Sequence, residues 1–257
     1  MRPRVLVMHA PGTNRDREAA VACALAGGQP EIVHLNQLLS GERDLLDYGF
    51  LVLPGGFSYG DDLGGGTLWA LALRERLGEA LRRFVAEGRP VLGICNGFQA
   101  LVKAGLLPGE PPGRPLTLTG NRSAHFECRW VHLRPEPGSR CLFTRGLEGL
   151  LYVPVAHGEG NLVPEHPGLL DDLRARGQIA LTYVGGRGRP ARYPDNPNGS
   201  AGNVAGVCNP AGNVLGLMPH PEDHVFPHQR PGWARGEGRG MALALFANGV
   251  RCAVRNV

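Results

Sequence analysis

Short apolar runs alternate with helix-like segments through the first hundred residues, and this alternation limits the fold more than any other feature of the sequence. Helical spacing is found over 15–27 and 67–87, and it continues after the last run over 98–104. Strands that alternate with helices form parallel sheets with helices on both faces. We therefore expect an α/β fold with a mostly parallel, open sheet. The apolar runs are VLVMH (5–9), EIVHL (31–35), FLVLP (50–54) and PVLGI (90–94).

After Pro108 the strand candidates are shorter and lie between Pro and Gly turns. Closely spaced strands without long helices between them favour antiparallel pairing, so we expect a more antiparallel extension of the same sheet. A last helix is predicted over 240–250. The sequence contains no low-complexity linker and no internal repeat, and we expect one domain over 1–257. The later strand candidates are LTLTG, ECRWVHL, LYVPVAH, IALTYV, VAGVCN and NVLGLMP.

Composition argues against several classes of protein. Hydrophobic residues make up 42% of the chain and charged residues 19%, which is typical of soluble globular proteins. No stretch approaches the ~20 apolar residues of a membrane span, and the first apolar run is too short for a signal peptide. We expect a cytoplasmic protein that binds neither membranes nor nucleic acid, because no basic cluster with interleaved aromatic residues is present. The six cysteines lack CxxC spacing, which predicts free thiols.

The fourth apolar run ends in GICNG, where Cys95 lies between Gly93 and Gly97. Functional groups gather at the carboxyl ends of parallel strands, and G-x-nucleophile-x-G is the form of a nucleophile elbow. So tight a turn strains the nucleophile's backbone and leaves little room for a Cβ on either side. The helix that follows favours a thiolate, and the Asn96 amide would face an oxyanion formed on an attached acyl group. A buried structural cysteine is the alternative.

A base for this thiol is predicted in LGLMPHPEDH, residues 215–224. Pro221 disfavours helix at the preceding residue, so the tripeptide is extended and His220 and Glu222 lie on one side of the chain. A histidine oriented by a carboxylate is what an activated cysteine requires. A surface histidine beside a surface glutamate is the alternative. His157, in PVAHGEG, is the other candidate base.

The spacing of three histidines also invites a zinc-site interpretation. His220, His224 and His228 are four residues apart, as metal ligands on one face of a helix would be. The prolines interleaved with them would interrupt such a helix. We therefore predict no metal site on this chain.

The glycine-rich segment LPGGFSYGDDLGGG, residues 53–66, follows the third apolar run. It is not a Walker loop, because that loop needs G-x(4)-G-K-[ST] and the segment has no lysine. We expect the backbone amides of Gly55 and Gly56 to face a substrate oxygen, as a second oxyanion donor. A flexible surface loop is the alternative.

Together these segments resemble the class I (triad-type) glutamine amidotransferases, through the elbow GICNG, the tripeptide HPE and the PGG loop. Within that class the sequence is most similar to the glutaminase subunits of phosphoribosylformylglycinamidine synthase. The resemblance runs from residue 5 to about 225 and implies a flavodoxin-like fold. Its motifs are APGTNRD (10–16), LPGGFSYGD (53–61), VLGICNGFQ (91–99), VPVAHGEGN (153–161), NPNGS (196–200) and GLMPHPED (216–223).

The resemblance implies that Cys95 is the nucleophile, that His220 is the base and that Glu222 orients it. The thiolate would attack the side-chain amide of glutamine, His220 would protonate the leaving ammonia, and water would hydrolyse the γ-glutamyl thioester.

Five further residues have implied roles around the reacting group. The amides of Gly56 and Asn96 would form the oxyanion hole. Gln99 would help to hold the substrate glutamine, as would the backbone around His157 and Gly158. This implied role weakens His157 as a candidate for the base.

The resemblance also implies partners. Ammonia would pass to a synthetase subunit that uses ATP and Mg to convert formylglycinamide ribonucleotide to formylglycinamidine ribonucleotide in de novo purine biosynthesis. A small third subunit commonly completes the complex, and this chain itself would hold no cofactor.

The sequence departs from the family pattern at Asp223, where the family commonly has arginine. A second negative charge there would raise the pKa of His220 or would face solvent. We assign no role to the less typical segment 224–237. Three rival hypotheses remain: a glutaminase of a different synthase, a cysteine hydrolase of similar fold, and a non-catalytic subunit.

Overall fold

The computed structural model describes residues 2–109, 115–236 and 241–255. Its strands are β1 (Arg4–His9), β2 (Gln29–His34), β3 (Phe50–Leu53), β4 (Val91–Ile94), β5 (Leu116–Thr119), β6 (Glu127–Pro135), β7 (Leu151–His157), β8 (Asn161–Pro164), β9 (Ile179–Val184), β10 (Val204–Cys208) and β11 (Val214–Leu217). Its α-helices are α1 (Asp16–Leu25), α2 (Leu35–Leu39), α3 (Thr67–Glu75), α4 (Gly78–Ala86), α5 (Asn96–Lys103), α6 (Leu169–Ala175) and α7 (Leu243–Arg255).

Nine of the strands in these ranges form one sheet in the order β2-β1-β3-β4-β11-β10-β9-β6-β7. From β2 to β11 every pair of neighbours is parallel, and from β11 to β7 every pair is antiparallel. With β11 in fifth place, the parallel half has the flavodoxin-like order 2-1-3-4-5. This confirms the predicted mostly parallel sheet with an antiparallel extension.

Helices cover both faces of the parallel half. One group consists of α1 and α7, which contact each other, and the other contains α3 and α5. All four residues of β3 and all four of β4 are buried, as expected of strands covered on both faces. Strands from both halves of the chain contribute to one continuous hydrophobic core.

Helix α5 lies close against β4 and β11 because two glycines face it. Gly93 and Gly216 are register partners on these strands. A Cβ atom on Gly93 would lie 2.4 Å from Cδ1 of Leu101, and one on Gly216 would lie 2.0 Å from Cδ2 of Phe98. The glycine before the cysteine therefore serves helix packing rather than an unusual backbone angle.

Strand β11 was predicted only as part of an antiparallel extension, but it lies parallel to β4 and antiparallel to β10. Leu217 is the register partner of Ile94, and the Cys95 amide donates to the Leu217 carbonyl at 2.8 Å. The segments that follow β4 and β11 therefore leave the sheet at the same edge. This pairing brings residues after 217 to the elbow.

Several local predictions differ from the structure. The long helix over 67–87 is two helices, α3 and α4, because the chain leaves helical geometry at Leu77, just before Gly78, a residue of low helix propensity. The strand candidate LTLTG is β5, which pairs with the unpredicted β8 in a separate small sheet. Helices α2 and α6 were also missed, and both are short. The start predicted for the last helix, residue 240, lies outside the described residues.

None of the helices in the described ranges is long and apolar enough to cross a membrane.

Replacing Gly216 with alanine should destabilise the protein. The added methyl group would meet the buried Phe98 ring, and overpacking of this kind typically costs about 1–3 kcal/mol. We expect the free energy of unfolding of Gly216→Ala, measured with denaturant, to fall by that amount. Gly138→Ala is the matched control, because nothing lies within 4 Å of a Cβ at Gly138. Equal stability of the two variants would contradict the close packing of α5.

Candidate active site

Cys95 lies at the turn between β4 and α5 in a strained conformation, with φ 50° and ψ −106°. Positive φ is uncommon for residues other than glycine and is maintained only by surrounding structure. The start of α5 is pressed against the end of β3, since a Cβ on Gly97 would lie 2.0 Å from the Leu53 carbonyl oxygen. The thiol therefore sits at the N-terminus of α5, held by close packing on both sides of the turn.

His220 and Glu222 form a buried pair directly after β11. Nδ1 of His220 lies 2.6 Å from Oε1 of Glu222, and the two side chains are 4% and 0% exposed. Pro221 begins a short 3-10 turn, and His220 is extended with φ −102° and ψ 90°. The hydrogen bond to the carboxylate places the ring proton on Nδ1 and leaves Nε2 for another partner.

The imidazole of His220 lies beside the thiol of Cys95. A Cβ atom on Gly55 would lie 2.6 Å from Cε1 of His220 and 3.5 Å from Cβ of Cys95, so all three residues meet at one point. Nε2 of His220 is buried and makes no hydrogen bond of standard geometry with any described residue. The contact with the thiol is thus looser than a standard hydrogen bond, as is common before substrate binds.

The pKa of His220 is raised well above its usual range. Burial by itself lowers it, but the negative charge of Glu222, the Cys95 sulfur beside the ring and the hydrogen bond to Glu222 together outweigh burial. A raised pKa favours the imidazolium form of the ring. An imidazolium next to a cysteine sulfur is one half of the ion pair that an activated cysteine requires.

His157, the other candidate base, is in the opposite state. Burial first, and then the charge of His220, lowers its pKa to about 3. Its Nδ1 lies 3.2 Å from Oδ1 of Asn121, which also accepts from the Gly160 amide. Since Asn121 Oδ1 acts as an acceptor, Nδ1 of His157 carries the proton and the ring is neutral. A neutral, fixed ring favours a supporting role for His157.

Two backbone amides next to the thiol have no hydrogen-bond acceptor among the described residues, those of Gly56 and Asn96. Gly56 has a positive φ of 149°, which residues with a Cβ rarely adopt, and a Cβ there would lie 2.7 Å from Cα of Thr13. The amides of Asn14 and Arg15 donate to the Gly55 carbonyl, which fixes this loop against residues 12–15. Both amides are therefore free to donate to a bound group, and their role as oxyanion donors stays a prediction.

The side chain of Asn96 anchors the glycine-rich loop to α5. Its oxygen accepts from the Ser58 amide at 3.0 Å, and its nitrogen donates to Asp61 at 2.8 Å and to Gln99 at 2.9 Å. Gln99 in turn donates to the carbonyl of Glu159 at 2.6 Å. The amide group of Gln99 therefore already joins α5 to the segment after β7, and its contact with substrate stays a prediction.

Lys103, the single lysine of the chain, joins the same loop to α5. Its Nζ donates to the Gly65 carbonyl at 2.6 Å and to the Thr67 hydroxyl at 2.8 Å. The Gly65 amide donates to Oε2 of Glu159 at 3.0 Å. The loop over 57–66 is thus tied both to the elbow helix and to the segment after β7.

A cavity of about 190 Å³ opens onto the thiol. Phe57 and Phe126 stand at it with 45% and 52% exposure. Of the predicted oxyanion and substrate-binding residues, all except Asn96 line the cavity. The other lining residues of the cavity are Gly56, Asp61, Cys95, Gln99, Ala156, His157, Gly158 and Glu159.

Asp223 lies at the edge of this site, half buried, with Oδ1 3.7 Å from Nη1 of Arg15. Burial first, and then the charge of Glu222, raises the pKa of Asp223 to about 6, against the opposing charges of His220 and Arg15. His220, Glu222 and Asp223 could approach one cation, as their ligand atoms lie within 4.8 Å of one another. Because Nδ1 of His220 is already bonded to Glu222, we infer no metal site from this cluster.

Three polar residues that support the site were not predicted from the sequence: Asp61, Asn121 and Lys103. Asp61, which lies in the motif LPGGFSYGD, accepts a hydrogen bond from Asn96. Asn121 donates one to the carbonyl of His157. The signal for Lys103 was compositional, since a lone lysine in an arginine-rich chain is unusual. No signal within a single sequence pointed to Asn121.

A strained cysteine after the fourth parallel strand, next to a buried His–Glu pair, defines a class I glutamine amidotransferase. Comparison with known families agrees, because the model of the CobB/CobQ-like glutamine amidotransferase domain matches residues 2–252.

Known proteins place the chain more narrowly. The phosphoribosylformylglycinamidine synthase subunit PurQ of Treponema denticola is 47% identical, over 97% of this chain and 98% of that protein. PurQ of Dehalococcoides mccartyi is 44% identical, over 97% of each. The structure of PurLQS from Thermotoga maritima contains a chain with a TM-score of 0.73 and 34% identity, over 96% of this chain and 97% of that one. The chain belongs to the PurQ family, the glutaminase subunits of phosphoribosylformylglycinamidine synthase in purine biosynthesis.

His220 and His157, the two candidate bases, should differ in charge at neutral pH. Nitrogen-15 NMR of the imidazole rings should show His220 protonated at pH 7 and His157 neutral down to about pH 4, since their pKa values shift in opposite directions. Glu222→Gln should lower the pKa of His220, because it removes a negative charge that raises it. A neutral His220 ring at pH 7 in the unsubstituted protein would contradict the ion-pair description.

Proposed function

We propose that Cys95 is the nucleophile that releases ammonia from glutamine, that His220 is its acid–base partner and that Glu222 orients the imidazole. The observation that carries this proposal is the position of a strained thiol beside a buried His–Glu pair. In that pair the carboxylate raises the pKa of the imidazole. The cavity of about 190 Å³ opens onto the thiol, so a side-chain amide that entered it would meet the sulfur.

In the first half of the reaction the Cys95 thiolate attacks the side-chain amide carbon of glutamine. The carbonyl oxygen becomes an oxyanion, to which the amides of Gly56 and Asn96 donate hydrogen bonds. Donors that are fixed before the reaction stabilise this charge without reorganisation. The network around Asn96 keeps both amides in position.

In the second half the imidazolium of His220 gives its proton to the leaving nitrogen, and ammonia departs as the C–N bond breaks. The neutral imidazole then takes a proton from water, which attacks the γ-glutamyl thioester. Glutamate leaves, and the proton held by His220 restores the ion pair with the thiolate. Gln99, His157 and Gly158 would hold the substrate during both steps.

We also propose that the ammonia is delivered to a synthetase subunit that uses ATP and Mg to aminate formylglycinamide ribonucleotide, with a small third subunit in the complex. The PurLQS assembly from Thermotoga maritima supports a partner of this kind. Exposed Phe57 and Phe126, with ring centroids 6.4 Å apart at the cavity, offer an apolar contact at its mouth. The sequence has no Walker loop, in agreement with ATP chemistry on the partner.

Cys95→Ala should abolish glutamate production from glutamine while the fold persists. Removal of a nucleophile commonly lowers kcat on the order of 10⁴-fold or more. Glutamate formation should be measured with the synthetase subunit present, with circular dichroism as the test of folding. Cys128→Ala is the matched control, because Cys128 is a free, exposed thiol away from the cavity, and its activity should be unchanged. Substantial glutaminase activity in folded Cys95→Ala would refute the nucleophile assignment.

A further inference from the structure

A second and larger cavity, of about 700 Å³, lies outside the site described above. One wall is the segment 196–203, which contains the motif NPNGS. The exposed side chains of Arg122, Arg192 and Tyr193 line it from the other elements. The roles proposed for the glutaminase site use none of these groups.

Among the described residues, the charged side chains that line this cavity are both arginines, Arg122 and Arg192. In the part of the chain that the structure describes, neither Arg122 nor Arg192 has an ion pair or a side-chain hydrogen bond, and the cavity lining contains no Asp or Glu. Neighbouring arginines differ in this respect: Arg189 pairs with Asp195 at 3.3 Å. Two unpaired guanidinium groups in one concave site favour an anionic ligand.

The wall of the cavity is ordered by its own hydrogen bonds. Asn196 donates to the Ser200 carbonyl at 3.0 Å and to Asn203 at 2.8 Å, and it accepts from the Gly199 amide at 3.0 Å. The stem of Arg122 lies over Gly199, where an added Cβ would be 2.6 Å from Cβ of Arg122. A preformed site loses less entropy when it binds a ligand than a flexible one would.

We propose that this cavity binds a small phosphate-bearing ligand. Guanidinium groups bind phosphate oxygens in a bidentate manner, and cavities of about 300–1,000 Å³ hold small molecules and cofactors. Tyr193 is 63% exposed, and the guanidinium of Arg129 lies over its ring, 5.2 Å from the centroid, so a third cationic group borders the cavity. The concave shape and the ordered wall favour a small ligand over an acidic segment of a partner protein.

The cavity wall also supports the segment next to the thiol. Asn198 donates to the hydroxyl of Tyr183 at 3.0 Å, and Ser200 donates to the carbonyl of Gly160 at 3.2 Å. Gly160 follows the residues that line the smaller cavity, and its amide is bonded to Asn121. A ligand that rigidifies this wall should therefore change the KM for glutamine. This consequence rests on the proposed function.

Calorimetry on the full chain tests the binding directly and needs no glutaminase activity. The probes are inorganic phosphate, inorganic triphosphate and ADP, which separate recognition of phosphate alone from recognition of a nucleoside phosphate. We expect saturable binding of at least one probe with a Kd below about 1 mM. The double variant Arg122→Gln/Arg192→Gln should bind that probe at least about tenfold more weakly, since two charge-assisted contacts are lost.

Arg82→Gln is the matched control, because Arg82 is exposed on α4, outside the cavity, and should bind as the unsubstituted chain does. Failure of every probe to bind, or an equal loss in Arg82→Gln, would overturn the proposal. If no probe binds and the double variant instead assembles poorly with the synthetase subunit, the arginines serve protein docking and the small-ligand site is wrong. In the assembled enzyme a bound probe should shift the KM for glutamine with the unsubstituted chain but not with Arg122→Gln/Arg192→Gln. An unchanged KM, or an equal shift with both chains, would refute the coupling.

Discussion

The parallel pairing of β4 with β11 is the constraint on which the rest of the site depends. It joins two strands separated by more than a hundred residues and ends in the hydrogen bond from the Cys95 amide to the Leu217 carbonyl. Because parallel strands end at the same edge of a sheet, the segments after them must meet. The thiol and the imidazole are neighbours for this reason, although neither segment specifies the other.

The electrostatics of the site follow from the burial of its side chains and from the charges next to each histidine ring. Glu222 is fully buried and hydrogen-bonded to His220, so the positive charge is held on that ring. The positive charge of His220 in turn helps to keep His157 neutral. The two rings therefore suit different roles: His220 the proposed exchange of protons with substrate, and His157, which is bonded to Asn121, the proposed support of the cavity.

Local features were predictable from the sequence, and long-range pairings were not. The elbow at Cys95 and the extended His-Pro-Glu segment depend on neighbouring residues, so glycine and proline placement indicated both. The parallel orientation of β11 depends on a partner far along the chain, and its antiparallel neighbour β10 made the wrong orientation plausible. The break between α3 and α4 and the contacts of Lys103 likewise follow from packing that periodicity does not encode.

The most direct test of the account is reaction with a glutamine-mimicking chloroketone, followed by mass spectrometry of the digested protein. An analogue that binds in the small cavity should alkylate Cys95 alone among the six cysteines. His220→Ala should slow that labelling by on the order of 10²-fold or more, since the ion pair that maintains the thiolate is lost. Labelling of another cysteine, or an unchanged rate at Cys95 in folded His220→Ala, would contradict the claim that strand pairing activates this thiol.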